Sequence, residues 1–177
     1  MGLPELFEDI RFGIYQMRND TAHFNFYFKG TLASLKGLLD YLLEEYNDIF
    51  KLGIGPNENL YVSTFRNKAN SMGNTNAIKF IDDYSEMKNK LLDDPKVGLL
   101  LKPHGVRDQE IHRKQTQRRP EIFLEDSFGN KTKPEVQPKF RFFLKAWPDD
   151  DIPTLCEYVR TELYNAIRTL NDKYSAA

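Results

Sequence analysis

Residues 20–47 read DTAHFNFYFKGTLASLKGLLDYLLEEYN, and the spacing of their apolar positions decides the fold. Phe24, Phe28, Leu32, Leu35, Leu39, Leu42 and Tyr46 advance by three or four positions, which draws one stripe along a helix of about 3.6 residues per turn. A long helix with such a stripe needs other helices to keep it from water. Gly30, Ala33, Ser34 and Gly37 lie beside the stripe, so a neighbouring helix is expected to approach closely there.

The flanking sequence supplies the partners. Upstream, residues 4–18 place Leu6, Phe7, Ile10, Ile14 and Met17 at helical spacing, with Pro4 acceptable in the opening turn. Downstream, Gly53, Gly55 and Pro56 end the pattern. A connection to about residue 73 follows, in which Leu60, Val62 and Phe65 fit a short helix or an extended piece equally well. Residues 74–92 return to helical spacing through Ala77, Ile78, Ile81, Tyr84, Met87 and Leu91. Asp94-Pro95 is a helix start, because the carboxylate accepts from free backbone amides and proline fits the first helical position. That helix carries Val97, Leu100 and Leu101 toward Ile111, with a kink or a restart near His104 imposed by Pro103 and Gly105.

After Pro120 the period changes from helical to two. Ile122 and Leu124, then Phe140, Phe142 and Leu144, recur at period two, with Lys139, Arg141 and Lys145 on the other face, and Ser127-Phe128-Gly129-Asn130-Lys131-Thr132 between them reads as a turn. The two runs predict a β-hairpin over about 120–147. Residues 147–151 lead into a last helix over 152–174, striped by Ile152, Leu155, Cys156, Val159, Leu163, Ile167 and Leu170. The expected fold is mainly α, an up-and-down bundle of four to five helices with a β-hairpin inserted before the C-terminal helix. One domain spans residues 1–177.

Composition narrows the function. The 177 residues, 40% of them hydrophobic, are enough for one core. No apolar run approaches the roughly 20 residues that span a bilayer, and Glu5, Glu8 and Asp9 stand where an export signal would be basic then apolar. A single cysteine, Cys156, makes no internal disulfide and fits a reducing cytoplasm, and its apolar neighbours predict a buried thiol. A cytoplasmic protein with no membrane partner is expected. Phosphate-loop, paired-cysteine and His-Glu-x-x-His signatures are missing, and three histidines make a zinc enzyme a poor fit. No cofactor or metal is expected.

With a formal net charge of −1, contact with nucleic acid has to come from a local patch. Lys102, Arg107, Arg113, Lys114, Arg118 and Arg119 form the most basic stretch, opposed by Asp108 and Glu110 alone. Within it, Arg107, Asp108 and His112 fall on one arc of a helix advancing about 100° per residue, so guanidinium, carboxylate and imidazole can converge. An imidazole exchanges protons near neutral pH, a guanidinium suits a phosphate gathering charge, and a carboxylate can orient the ring. The same stretch also reads as a solvated helix end, with His112 an exposed residue whose proton the helix dipole favours.

These residues carry a resemblance. HEPN domains are helical bundles marked by an arginine, four to six intervening residues and a histidine, usually with Asn, Asp or His directly after the arginine. Arg107, Asp108 and His112 match that pattern. Residues 24–46 with their small positions, the Asp94-Pro95 helix start, and the hairpin ending in Trp147-Pro148 also resemble bacterial proteins of this class, so the likeness extends over most of the chain. It implies a metal-independent endoribonuclease in which 2′-hydroxyl attack leaves a cyclic phosphate, at work in phage defence or a toxin system. It further implies a homodimer that completes the site, with Arg107, Asp108 and His112 catalytic. Lys102, Arg113, Lys114, Arg118 and Arg119 would then contact phosphates. The alternative within the family is a non-catalytic RNA- or nucleotide-binding or homodimeric assembly module.

Arg18-Asn19-Asp20-Thr21-Ala22-His23 satisfies the same pattern. It lies where the first helix gives way to the second, and Asn19 and Asp20 look like turn and cap residues. This copy is read as structural.

Overall fold

The computed structural model describes residues 2–55, 58–102, 122–125, 141–144 and 147–174. Among them are six α-helices: α1 Leu3–Asn19, α2 Phe24–Ile49, α3 Val62–Ser71, α4 Thr75–Asp93, α5 Pro95–Leu101 and α6 Ile152–Tyr174. Three strands, β1 Ile122–Glu125, β2 Arg141–Leu144 and β3 Trp147–Asp151, precede α6. The chain is a mainly helical bundle, as the periodicity predicts. The connection left open in the sequence, around Val62 and Phe65, is the helix α3, whose Phe65 and Ala69 are fully buried.

Consecutive long helices run antiparallel. Tyr46 of α2 stacks on Phe80 of α4 at 3.9 Å, while the Tyr84 hydroxyl donates to the Leu39 carbonyl one helical step further along. Asp83 of α4 meets Lys173 and Tyr174 at the far end of α6, and Asp94 meets Tyr158 near its start. The striped residues Phe28, Leu32, Leu35 and Leu42 are fully buried, as are Ile81 and Val159 in the helices around them. Phe80 is the hub of an aromatic cluster, with Phe50, Phe65, Tyr84 and Tyr174 within 6.1 Å of its ring centre.

The helix ends follow local chemistry. Between α1 and α2 a 3₁₀ turn spans Thr21–His23, so α2 starts at Phe24 rather than at the expected position 20. After α2 the chain passes through positive φ at Lys51 and Gly53, and both amide ends of Asn47 grip the backbone of Ile54 at 3.1 and 3.2 Å. Helix α5 stops at Leu101, because Lys102 takes an extended conformation one residue before Pro103, where proline disfavours helical backbone. The expected continuation toward Ile111 lies outside the described residues.

β1 and β2 pair antiparallel, as the predicted hairpin requires, with Ile122 opposite Leu144 and Glu125 opposite Arg141. β3 was not foreseen. It adds an antiparallel edge to β2 through a bulge at Phe143 and Leu144, giving the order β1-β2-β3, and Pro148 is tolerable on such an edge. Leu144 is buried, and β2 lies against α6.

The close approach expected beside the small residues of α2 is not seen among the described residues. Among the described residues, a side chain added at Gly30 or Gly37 would meet nothing within 4 Å, and Gly30 and Ala33 are exposed. The close helix approach is instead on another face, where Gly13 of α1 sits against the Thr31 hydroxyl of α2. Thr31 is buried and its hydroxyl has no hydrogen-bond partner among the described residues. Gly13→Ala is therefore expected to destabilise the protein by about 1–2 kcal/mol, since overpacking outweighs the gain in helix propensity. Thr31→Ala in the same chain should restore most of the loss. Chemical denaturation of both variants and the double variant checks this; additive effects would show that the two residues do not press on one another.

Candidate functional site

The predicted catalytic residues Arg107, Asp108 and His112, and the predicted phosphate contacts Arg113, Lys114, Arg118 and Arg119, lie outside the described residues. Of the site, Lys102 is described: it is exposed, its backbone amide donates to Gly98, and its ammonium stands 3.8 Å from Asp93. So exposed an ion pair contributes little, and it leaves the Lys102 charge open to a phosphate.

The described residues do show how α5, which ends at the start of the basic stretch, is held. Asp94 caps α5, one carboxylate oxygen accepting from the amides of Lys96 and Val97 at 2.9 Å each. Its other oxygen accepts from the Tyr158 hydroxyl of α6, also at 2.9 Å. Lys96 reaches back to Asp150 of β3 at 2.6 Å, with its ammonium 4.9 Å from the centre of the Tyr158 ring. The helix entering the basic stretch is thereby joined to β3 and to the last helix. Val97, Leu100 and Leu101 bury its inner side.

Desolvation acts to raise the Asp94 pKa, but the amides of Val97 and Lys96, the Tyr158 hydroxyl and the Lys96 charge outweigh it, and the net shift is downward. Asp83 is lowered as well, first by its hydrogen bond from Lys173 and then by that from Tyr174. A carboxyl lowered in the folded state contributes stability that is complete above its unfolded pKa of about 3.9 and is lost as pH falls through the folded value. Melting temperature should therefore decline below about pH 4, and less steeply in Asp94→Asn than in the wild type. At neutral pH, Asp94→Ala should cost about 2 kcal/mol, the worth of a helix cap plus a charged hydrogen bond. Thermal scans between pH 2.5 and 7 read both effects; parallel curves for the two proteins would remove Asp94 from the account.

The backbone of the second copy of the arginine–histidine pattern lies within the described residues. Arg18 is exposed in the last turn of α1 and has no side-chain partner among the described residues. The Asn19 amide turns back to the Tyr15 carbonyl at 2.7 Å. Asp20 accepts from the His23 amide at 3.3 Å and pairs with the His23 ring at 2.9 Å, which lowers the carboxyl pKa, chiefly through that ring hydrogen bond. Asn19 and Asp20 thus act as turn and cap residues, as read from the sequence. A carboxylate and an imidazole meet here, while the guanidinium is not held to either.

Two features were not found by sequence reasoning. One is an open cleft of about 640 Å³ between α4 and α6, floored by Met87, Leu91 and Leu170 and rimmed by Glu86, Lys90 and Glu162. The other is the Asp83 clasp at one end of that cleft, which receives both the Lys173 ammonium and the Tyr174 hydroxyl. Burial, followed by that hydrogen bond, raises the Tyr174 pKa. The clasp joins residues about 90 positions apart in sequence, a separation that no local pattern encodes. Cys156 is fully buried, and desolvation pushes its thiol pKa upward, in keeping with a core role.

Among the described residues no three His, Cys, Asp or Glu side chains are grouped to hold a metal ion, and no helix is long and apolar enough to cross a membrane. Comparison of the sequence with protein-family models, with curated proteins and with solved structures finds no match.

Proposed function

We propose that this chain is a metal-independent endoribonuclease of the HEPN type. Arg107, Asp108 and His112 form its catalytic set, and Lys102, Arg113, Lys114, Arg118 and Arg119 bind the RNA backbone. The observation that carries the proposal is the arginine–aspartate–histidine spacing within the most basic stretch of the chain, set in a helical bundle after an Asp-Pro helix start and before a hairpin and a last long helix. The Asp94 cap and the Lys96–Asp150 pair fix α5, the helix that precedes the basic stretch in sequence.

In this reading His112 takes the proton from a ribose 2′-hydroxyl or returns one to the departing 5′-oxygen. The 2′-oxygen bonds to the adjacent phosphorus, the bond from phosphorus to the 5′-oxygen breaks, and a 2′,3′-cyclic phosphate remains. Arg107 stabilises the charge gathering on the phosphoryl oxygens, and Asp108 orients the imidazole. The purified protein should cut RNA in excess chelator and leave DNA of the same sequence whole; cleavage that stops on chelation would refute the metal-independent mechanism. The second reading, a homodimeric assembly or binding module, is favoured by the solvent-facing aromatic and small residues of α2.

A further inference from the structure

Helices α4 and α6 are pinned to each other at two points and stand open between them. At one end Asp83 receives the Lys173 ammonium and the Tyr174 hydroxyl, and at the other Asp94 receives the Tyr158 hydroxyl. Side chains long enough to cross the gap make both junctions. Between them α6 offers Ala166, a single methyl group, and the cleft of about 640 Å³ lies there. It follows α4 from Asp83 to Asp94, a length of about 16 Å at about 1.5 Å per residue.

The trough is amphipathic. Met87, Leu91, Ala166 and Leu170 make its floor, and Met87 and Ala166 are only half-buried, so apolar surface there still faces water. Methionine is unbranched and adapts its shape to whatever lies on it. On the rim, Glu86 stands one turn from the Asp83 junction and Glu162 one turn from the Tyr158 junction, which puts a carboxylate toward each end. Among the described residues neither of these carboxylates, nor Lys90 on the same rim, has a hydrogen-bond or ion-pair partner. The remaining charges of the lining are engaged, Asp83 with Lys173 and Asp94 with Tyr158 and the first amides of α5. Two free carboxylates against one free ammonium leave the rim acidic.

We propose that this trough docks a basic amphipathic helix of another protein. Two antiparallel helices with an apolar floor between them form the kind of groove that takes the apolar face of a third helix. The distance between the two junctions accommodates about eleven residues of such a helix, or three turns. Its apolar side chains, spaced three or four apart, sit on Met87, Ala166 and Leu170. Lysine or arginine on its flanks meets Glu86 toward one end and Glu162 toward the other, whereas an acidic helix or a phosphate backbone would bring like charge to the same two groups. The inference goes beyond the nuclease reading and stands apart from it, because its test reads peptide binding and not cleavage.

The probe is a labelled peptide of about 14 residues with blocked ends, leucine along one helical face and lysine elsewhere; its counterpart has glutamate for every lysine. Fluorescence anisotropy with the full chain, in low salt, should give a dissociation constant below about 100 µM for the lysine peptide and at least about tenfold weaker binding of the glutamate peptide. Glu86→Lys with Glu162→Lys should weaken the lysine peptide by at least about tenfold. Ala166→Phe fills the trough without changing a charge and should weaken it as much. Glu44→Lys with Glu45→Lys, exposed acids of α2 away from the trough, makes the same change in net charge and should leave binding within about twofold. Thermal melts show which variants fold, and Ala166→Leu replaces Ala166→Phe if the larger ring prevents folding. Equal binding of the two peptides, full binding by the filled trough, or the same loss in the α2 variant as in the rim variant would each overturn the proposal. So would a wild type that binds neither peptide, or one of two-chain mass that the Ala166 variant reduces to one chain, which would give the trough to a second copy instead.

Discussion

His112→Ala is expected to lower RNA cleavage by about 10²–10⁴-fold, the usual worth of a positioned acid or base. Arg107→Ala should cost about 10²–10³-fold, since a lost donor to a charge-bearing oxygen in a water-poor site typically removes that much. Both are polar residues of a basic stretch and belong to none of the apolar stripes that the sequence shows. Melting temperatures of both variants should therefore stay within a degree or two of the wild type. The measurement is initial cleavage rate in chelator beside a thermal scan of the same preparations. Full activity in His112→Ala would take this histidine out of the mechanism. Equal losses of activity and of melting temperature would recast it as a structural residue.

The largest stability effect is expected at Phe80. Its ring is fully buried, stacks on Tyr46 at 3.9 Å and makes further ring contacts with Phe50, Phe65, Tyr84 and Tyr174. Four segments of the bundle thus meet on one side chain. Truncating a buried phenylalanine to alanine costs about 3–5 kcal/mol, from lost transfer energy and the cavity left behind. Against a total stability of about 5–15 kcal/mol, Phe80→Ala should lower the melting temperature by about 10 °C or more. Phe80→Leu keeps much of the volume and should lose less than half as much. A shift of only a few degrees in the alanine variant would show that the aromatic cluster does not hold the bundle together.

Helices with one unbroken apolar stripe were legible from the sequence. Residues 152–174 were expected as the last helix and form α6, because Leu155, Val159, Leu163 and Ile167 keep their spacing to the end. The Asp94-Pro95 start was legible for a local reason too, since cap and first turn are neighbours in sequence. Phe80 was missed beside the more conspicuous Ile78 and Ile81; Ile78 is half-buried, while Phe80 is the hub. Beside the α2 stripe, the small residues announced a close approach without saying to what. Gly13 took that role on another face, leaving Gly30 open, because a one-helix pattern carries no information about its neighbour.

β3 was illegible for a different reason. Trp147-Pro148-Asp149-Asp150-Asp151 has no alternation of apolar and polar residues, and its pairing depends on a bulged register with β2. For the site, the residue types and spacing around Arg107 were readable, as was the cap role of Asp20. The Tyr158–Asp94 and Lys96–Asp150 contacts, between residues 64 and 54 positions apart, were not.

Two arginine–histidine patterns in one chain provide an internal control for the nuclease reading. Asp20 holds the His23 ring at the α1–α2 turn, where it caps the backbone, and Arg18 is left apart. The direct measurement is mass spectrometry of the ends produced from one RNA oligonucleotide in chelator by wild type, His112→Ala and His23→Ala. Cyclic phosphate ends from wild type and from His23→Ala, with none above background from His112→Ala, are the expected result. Ends that vanish in His23→Ala and persist in His112→Ala, or no cyclic phosphate from the wild type, would contradict it.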